Sequence, residues 1–161
     1  MQKKTITSLL AVLSILAILI SLYLAYLHFA KPSDSFCNIN PAFDCDKVNQ
    51  SIYSVFPPGY GIPNSIIGII NFLIILAALA LLSSDKNLKL LGEAITKKEI
   101  ENFIFYVLIA NMLFALYLVY VEAFIIYTFC ILCIALDIII IISLILAYKL
   151  RRVNSLGIQT L

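Results

Sequence analysis

Four cysteines carry the chemistry open to this chain. Cys130 and Cys133 stand three apart in "YTFCILCIAL", flanked by Phe129, Ile131, Leu132 and Ile134. Cys37 and Cys45 lie eight apart in a more polar stretch. Four thiols allow three uses. They can form static disulfides or fill space as small apolar residues, they can hold zinc, or they can exchange electrons as two dithiol–disulfide pairs. A static clip suits Cys37 and Cys45, but C-x-x-C disulfides are typically redox-active. A zinc site would need two ligands from an apolar helix, and His28 is the single histidine. The reading that uses all four cysteines is a thiol–disulfide relay, with no metal.

The elements that must position these thiols are membrane spans. Hydrophobic residues make up 63% of the 161 positions and charged residues 12%, against about 25% charged in a soluble domain. A net charge of +2 argues against a nucleic-acid partner. Apolar blocks run from Ile6 to Phe29, from Ser65 to Leu82 and from Phe103 to Tyr148, the last interrupted by Asn111, Glu122, Asp137 and a few hydroxyls. One crossing takes about 20 residues at 1.5 Å each, so the last block is two spans with a turn near Ile126 to Thr128. The expected fold is an all-α membrane protein, a four-transmembrane-helix bundle forming one domain over 1–152. Its spans lie at about 6–29, 65–83, 103–126 and 128–149, with loops 30–64 and 84–102 and a tail 153–161. The first block exceeds the roughly 7–15 apolar residues of a signal peptide and is read as a retained span. There is no internal repeat or low-complexity tract.

Charge sets the orientation. With four spans, both termini and the 84–102 loop share a side that carries nine Lys and Arg residues, while the other side carries Lys31 and Lys47. The positive-inside rule makes the termini cytoplasmic in a multi-pass protein of the cytoplasmic membrane. All four cysteines then fall on the extracytoplasmic side, where disulfides form. The connection "SSDKNLKLLGEAITKKEIEN" reads as a short helical linker without chemistry. In the outer loop, "FDCDKVNQSIYSVF" places Val48, Ile52, Val55 and Phe56 on one helical face. A short surface helix capped by Asp44 or Asp46 is expected there, with Cys45 near its N-terminus, where the dipole lowers a thiol pKa.

The loop pair is expected to be mobile and exposed, able to meet a soluble partner, and the helix pair fixed at the lipid border. Cys133 lies about 4.5 Å deeper than Cys130, so Cys130 exchanges with the loop and Cys133 faces a lipid-soluble oxidant. A quinone is the candidate, held in an apolar, aromatic site by one or two hydrogen-bond donors. Asn64, in "IPNS", is either such a donor or a helix N-cap. Asp137, four residues after Cys133 and on its face, either handles protons for the quinone or makes an interhelical contact with Asn71 or Asn111. Glu122 is expected to reach interfacial water.

The order Cys37, Cys45, Ser51, "GIPNSIIG" and "FCILC" resembles the vitamin K epoxide reductase family, over nearly the whole chain. The resemblance implies a four-helix bundle around a quinone (ubiquinone, menaquinone or a vitamin K type), capped by the loop. It gives Cys37 the contact with a separate extracytoplasmic thioredoxin-like or DsbA-like protein. It pairs Cys45 with Cys130 in exchange, sets Cys133 beside the quinone, makes Asn64 the quinone's hydrogen-bond donor and aligns Ser51 with the family's loop serine. Animal members carry a tyrosine where this chain has Asp137 in "CIALD", and "RRVNSLGIQTL" does not look like an endoplasmic-reticulum retrieval tail. Both features favour a prokaryotic-type homologue that oxidises protein thiols with the membrane quinone pool. The alternatives are reduction of a vitamin K epoxide or quinone as the physiological purpose, and a non-enzymatic scaffold with structural disulfides.

Overall fold

A computed structural model describes residues 3–30, 35, 37–83 and 96–155, the last three of these for their backbone alone. The elements are α1 (Lys3–Ala30), α2 (Cys45–Asn49), a 3-10 turn (Ile52–Ser54), β1 (Val55–Phe56), β2 (Ile62–Pro63), α3 (Asn64–Ser83), α4 (Lys97–Val121), a π turn (Glu122–Ile126) and α5 (Ile131–Ser155). Helices α1, α3 and α5, and α4 with its π turn, are each long and apolar enough to cross a membrane. The protein is a four-helix membrane bundle. The linker expected over 84–102 lies outside the described residues up to 95, and so does the tail beyond 155.

Packing follows from where the small residues fall. The buried positions of α1 are Ile6, Leu10, Ser14, Ala17, Ser21, Leu24 and Leu27, recurring every three or four residues along one face. Lipid supplies no hydrophobic drive between helices, so close approach through small side chains has to supply the contact. Gly68 of α3 fits this: a Cβ there would lie 3.1 Å from Ser21 Oγ. The main core joins Leu10, Ala17, Phe72, Ile75, Ile104, Leu108, Ile140 and Ala147 from all four long helices. Leu19, Leu113 and Ile145 point outward and are more than half exposed, as lipid-facing residues should be.

Helix ends account for two differences from the apolar blocks. α4 starts at Lys97 rather than near 103 because Thr96 and Glu99 form a reciprocal capping box. α5 starts at Ile131 rather than 128 because Tyr127 takes the left-handed conformation (φ 55°) and closes the π turn.

The loop helix is shorter than expected. It ends at Asn49, and Val55–Phe56 instead pairs with Ile62–Pro63 in an antiparallel ribbon. Pro57 and Pro58 cannot continue a helix and disfavour helical geometry just before them. Val48 is buried while Ile52 and Phe56 are exposed, so the four residues do not share one face. Asp44 is the cap, accepting from the Lys47 N–H at 2.9 Å.

The end of the bundle opposite the cysteines is tied by an ion pair. Lys3 Nζ lies 2.7 Å from Glu101 Oε1, with the glutamate side chain 1% exposed and the lysine 35%. Lys3→Glu should destabilise the protein by about 1–3 kcal/mol, between the ranges for surface and buried pairs. The double swap Lys3→Glu/Glu101→Lys should recover most of the loss. Thermal unfolding in detergent checks this, and no recovery in the swap would assign the loss to packing rather than charge.

Candidate active site

The site begins with a backbone pairing between segments far apart in sequence. Phe43 bridges Phe129 in parallel register. The Asp44 N–H donates to Phe129 O at 3.1 Å, and the Phe129 N–H donates to Ala42 O at 2.9 Å. The two phenyl rings lie 6.2 Å apart. Each cysteine comes closely after this ladder, Cys45 two residues after Phe43 and Cys130 one after Phe129. They share a buried cluster with Cys37, Leu24, Leu27 and Val48.

Further bonds hold the loop down. Lys47 Nζ donates to Thr128 Oγ1 at 2.9 Å, and Asn49 Nδ2 donates to Leu24 O at 2.7 Å. His28 Nδ1 meets Asn49 O at 2.9 Å and Ser54 Oγ at 3.4 Å. These contacts overturn the expectation of an exposed loop pair: Cys37 is 1% exposed and Cys45 fully buried. Under this cover the Cys37 sulfur is closed to solvent.

The two pairs differ in redox state. Cys37 and Cys45 are joined as a disulfide with Cα atoms 5.8 Å apart, while Cys130 and Cys133 are free thiols. The Cys133 thiol donates to the Cys130 sulfur and holds the Cys130 pKa below the ordinary thiol value. Burial opposes that effect, while the Cys133 N–H (3.4 Å from the sulfur) and the Leu132 N–H add to it. A helix-terminal field also acts at Cys130, which precedes the 25-residue α5. Cys45 opens a helix of five residues.

Cys133, half-buried, reaches a small cavity of about 40 Å³. Polar residues Asn49, Ser51, Tyr53, Asn64 and Glu122 line it together with Val48, Leu118, Val121 and Ile126. Ser51 Oγ donates to Val48 O at 2.8 Å, where α2 meets the 3-10 turn. Asn64, the first residue of α3, donates through Nδ2 to Tyr53 O at 2.8 Å, and its buried Oδ1 has no partner. Asp137 is half-buried on α5, does not line the cavity, and hydrogen-bonds neither Asn71 nor Asn111.

Does the cavity suit a quinone? The chemistry of its donors does. One Asn64 N–H is taken by Tyr53 O, leaving a second for a carbonyl oxygen, and the unpartnered Oδ1 can accept from a hydroxyl. The volume is far below the roughly 150 Å³ that encloses a benzene ring. A quinone ring would need more room than the described arrangement leaves there.

Glu122 departs from the expectation that it reaches interfacial water: it is 4% exposed. Its Oε2 accepts the Cys130 N–H at 3.1 Å, and its backbone carbonyl accepts from the Thr128 N–H at 3.2 Å. The signal in the sequence is a carboxylate within an apolar run, which marks a functional position by default.

One outcome is expected for the thiol pair. In reduced protein lacking Cys37 and Cys45, the Cys130 thiolate should form below the usual pH range around 8.5. Cys133→Ala removes the main donor and should move that ionisation upward in a thiolate absorbance titration. An unchanged midpoint would give the effect to the backbone N–H groups alone.

A family model described as the vitamin K epoxide reductase family matches residues 8–148. No curated protein matches the chain.

Proposed function

Since the chain belongs to the vitamin K epoxide reductase family, a family of quinone-linked membrane redox enzymes, we propose that it is a quinone-dependent thiol oxidoreductase that generates disulfides. It accepts electrons from a separate extracytoplasmic thioredoxin-like protein and delivers them to the membrane quinone pool. The observation that carries this reading is the docking of Cys45 beside Cys130, an oxidised loop pair against a reduced helix pair. The nine-to-two distribution of basic residues supports cytoplasmic termini and extracytoplasmic cysteines in the cytoplasmic membrane. Asp137, in place of the animal tyrosine, favours thiol oxidation over epoxide reduction.

The relay runs by thiol–disulfide exchange. The partner's thiolate attacks Cys37 and releases Cys45, and its second thiol then attacks the mixed disulfide and releases Cys37, so that the partner leaves oxidised and both loop cysteines are reduced. The Cys45 thiolate attacks Cys130 of the oxidised helix pair and releases Cys133 as a thiol. Cys37 then attacks Cys45, releases Cys130 and restores the loop disulfide. The described arrangement, Cys37–Cys45 bonded and Cys130 and Cys133 free, is the product of that last exchange. A bound quinone supplies the two-electron oxidation that re-forms the helix disulfide. Asn64 would hold it through the second N–H of its amide, with Val48, Leu118, Val121 and Ile126 as the apolar wall. A donor at this point orients a ring carbonyl without adding charge to a buried site. Asp137 is assigned no step.

Cys133→Ser removes the thiol that resolves the exchange. This variant should accumulate a Cys45–Cys130 disulfide and lose quinone reduction driven by a reduced dithiol partner. Non-reducing peptide mapping reads the link, and a Cys37–Cys130 link in its place would reverse the roles given to the loop cysteines.

A further inference from the structure

Glu122 is used by none of these steps, although it is buried, ionisable and beside both reacting sulfurs. Its Oε2 takes the Cys130 N–H at 3.1 Å, and it lines the same cavity as Cys133. It also occupies the first position of the π turn, a departure from α-helix that recurs at functional sites. A carboxylate that served only to close the turn would need the Cys130 N–H and nothing more. Its place on the cavity that the Cys133 thiol also lines requires another account.

We propose that Glu122 is the proton acceptor for Cys133. The proposal rests on the quinone reading and deepens it. The Cys133 S–H bond breaks and its proton passes to the Glu122 carboxylate. The S–S bond to Cys130 then forms, and two electrons leave the two sulfurs for the quinone. Glu122 gives its proton to one oxygen of the reduced quinone. The other oxygen takes its proton from water, matching the one that Cys130 releases on ionising. Two thiols and one quinone thus become one disulfide and one quinol, and Glu122 ends as it began.

Electrostatics makes the idea separable from a structural role. A fixed carboxylate beside a thiol discourages the thiolate by like-charge repulsion. A carboxylate that accepts the thiol's proton becomes a neutral acid that can donate a hydrogen bond back to the thiolate, and that bond favours a fraction of thiolate below the ordinary thiol pKa. Other titratable groups near Glu122 are Cys130 and Asp137 on the α5 side, Tyr53 across the cavity, and His28, which binds the cavity residues Asn49 and Ser54. Lys47 is bonded to Thr128.

The test uses full-length, quinone-free protein in detergent, with Cys37, Cys45 and Cys130 changed to serine so that Cys133 is the remaining thiol. Its alkylation by iodoacetamide is tracked against pH by mass. The profile should rise in two steps, the lower one from the shared proton. Glu122→Gln keeps an oxygen for the Cys130 N–H, yet should erase the lower step and slow alkylation at pH 7 by about tenfold or more, a loss of one pK unit's worth of thiolate. The lower step should survive Asp137→Asn and His28→Gln. Equal or faster alkylation in Glu122→Gln is the result of a merely structural carboxylate and would overturn the proposal. In the protein with all four cysteines, Glu122→Gln should cut quinone-reducing kcat by about 10²-fold, the low end for a general base, with KM unchanged. An unchanged kcat alongside a lost step would also overturn it. The alkylation contains no quinone, so a failure of the quinone reading leaves that result standing and shows instead as no turnover in the parent protein.

Discussion

The site depends on a short parallel pairing between the outer loop and the turn before α5. Two backbone hydrogen bonds, from Asp44 to Phe129 and from Phe129 to Ala42, fix the register of segments more than 80 residues apart in sequence. The register matters because disulfide exchange needs sulfur to meet sulfur, and a loop free to slide would deliver Cys45 only intermittently. Phe43 and Phe129 are the paired positions, and Cys45 and Cys130, two and one residues beyond them, share one buried cluster. Lys47 on Thr128 and Asn49 on Leu24 then tie α2 to the turn and to α1. Breaking the pairing would scatter the thiols without altering any of them.

The same docking explains the contrast between the two pairs. The loop disulfide is sealed in an apolar cluster, while Cys130 sits at the N-terminal end of a long helix, with donors converging on its sulfur. Cys133, one turn further in, faces the cavity beside Asn64 and Glu122. In the proposed relay, depth would set the direction of the electrons: from the loop pair, to Cys130 at the helix end, to Cys133 at the cavity. The cavity's small volume gives the loop a second task. In the proposed relay it would have to move for a soluble partner on one side and for a ring-shaped oxidant on the other.

Hydropathy made the four long helices legible, because about 20 apolar residues have few alternatives to a span. The cysteine spacing marked the residues that gather at the site. Three features were not legible, each for a physical reason. Val48, Ile52, Val55 and Phe56 have helical spacing, but the prolines after Phe56 and the pairing with Ile62 turned the segment into a ribbon. The burial of Cys37 and Cys45 comes from the pairing of residue 43 with residue 129, a long-range contact that no local pattern announces. Glu122 is misjudged when it is placed by depth alone. The π turn inserts an extra residue, rotating the chain beyond it by about 100° relative to an α-helix, and its carboxylate folds back onto Cys130 instead of pointing toward water.

The claim on which the rest stands is that the loop is clamped in register to the head of α5. Amide hydrogen exchange at Asp44 and Phe129, in detergent-solubilised protein with the loop disulfide intact, measures it without any ligand or partner. Both amides should be protected to a degree comparable with Ile134, whose N–H closes the first turn of α5 onto Cys130 O at 3.0 Å. Exchange of both at the rate of an unstructured loop, with Ile134 still protected, would contradict the clamp and with it the fixed path from Cys45 to Cys130.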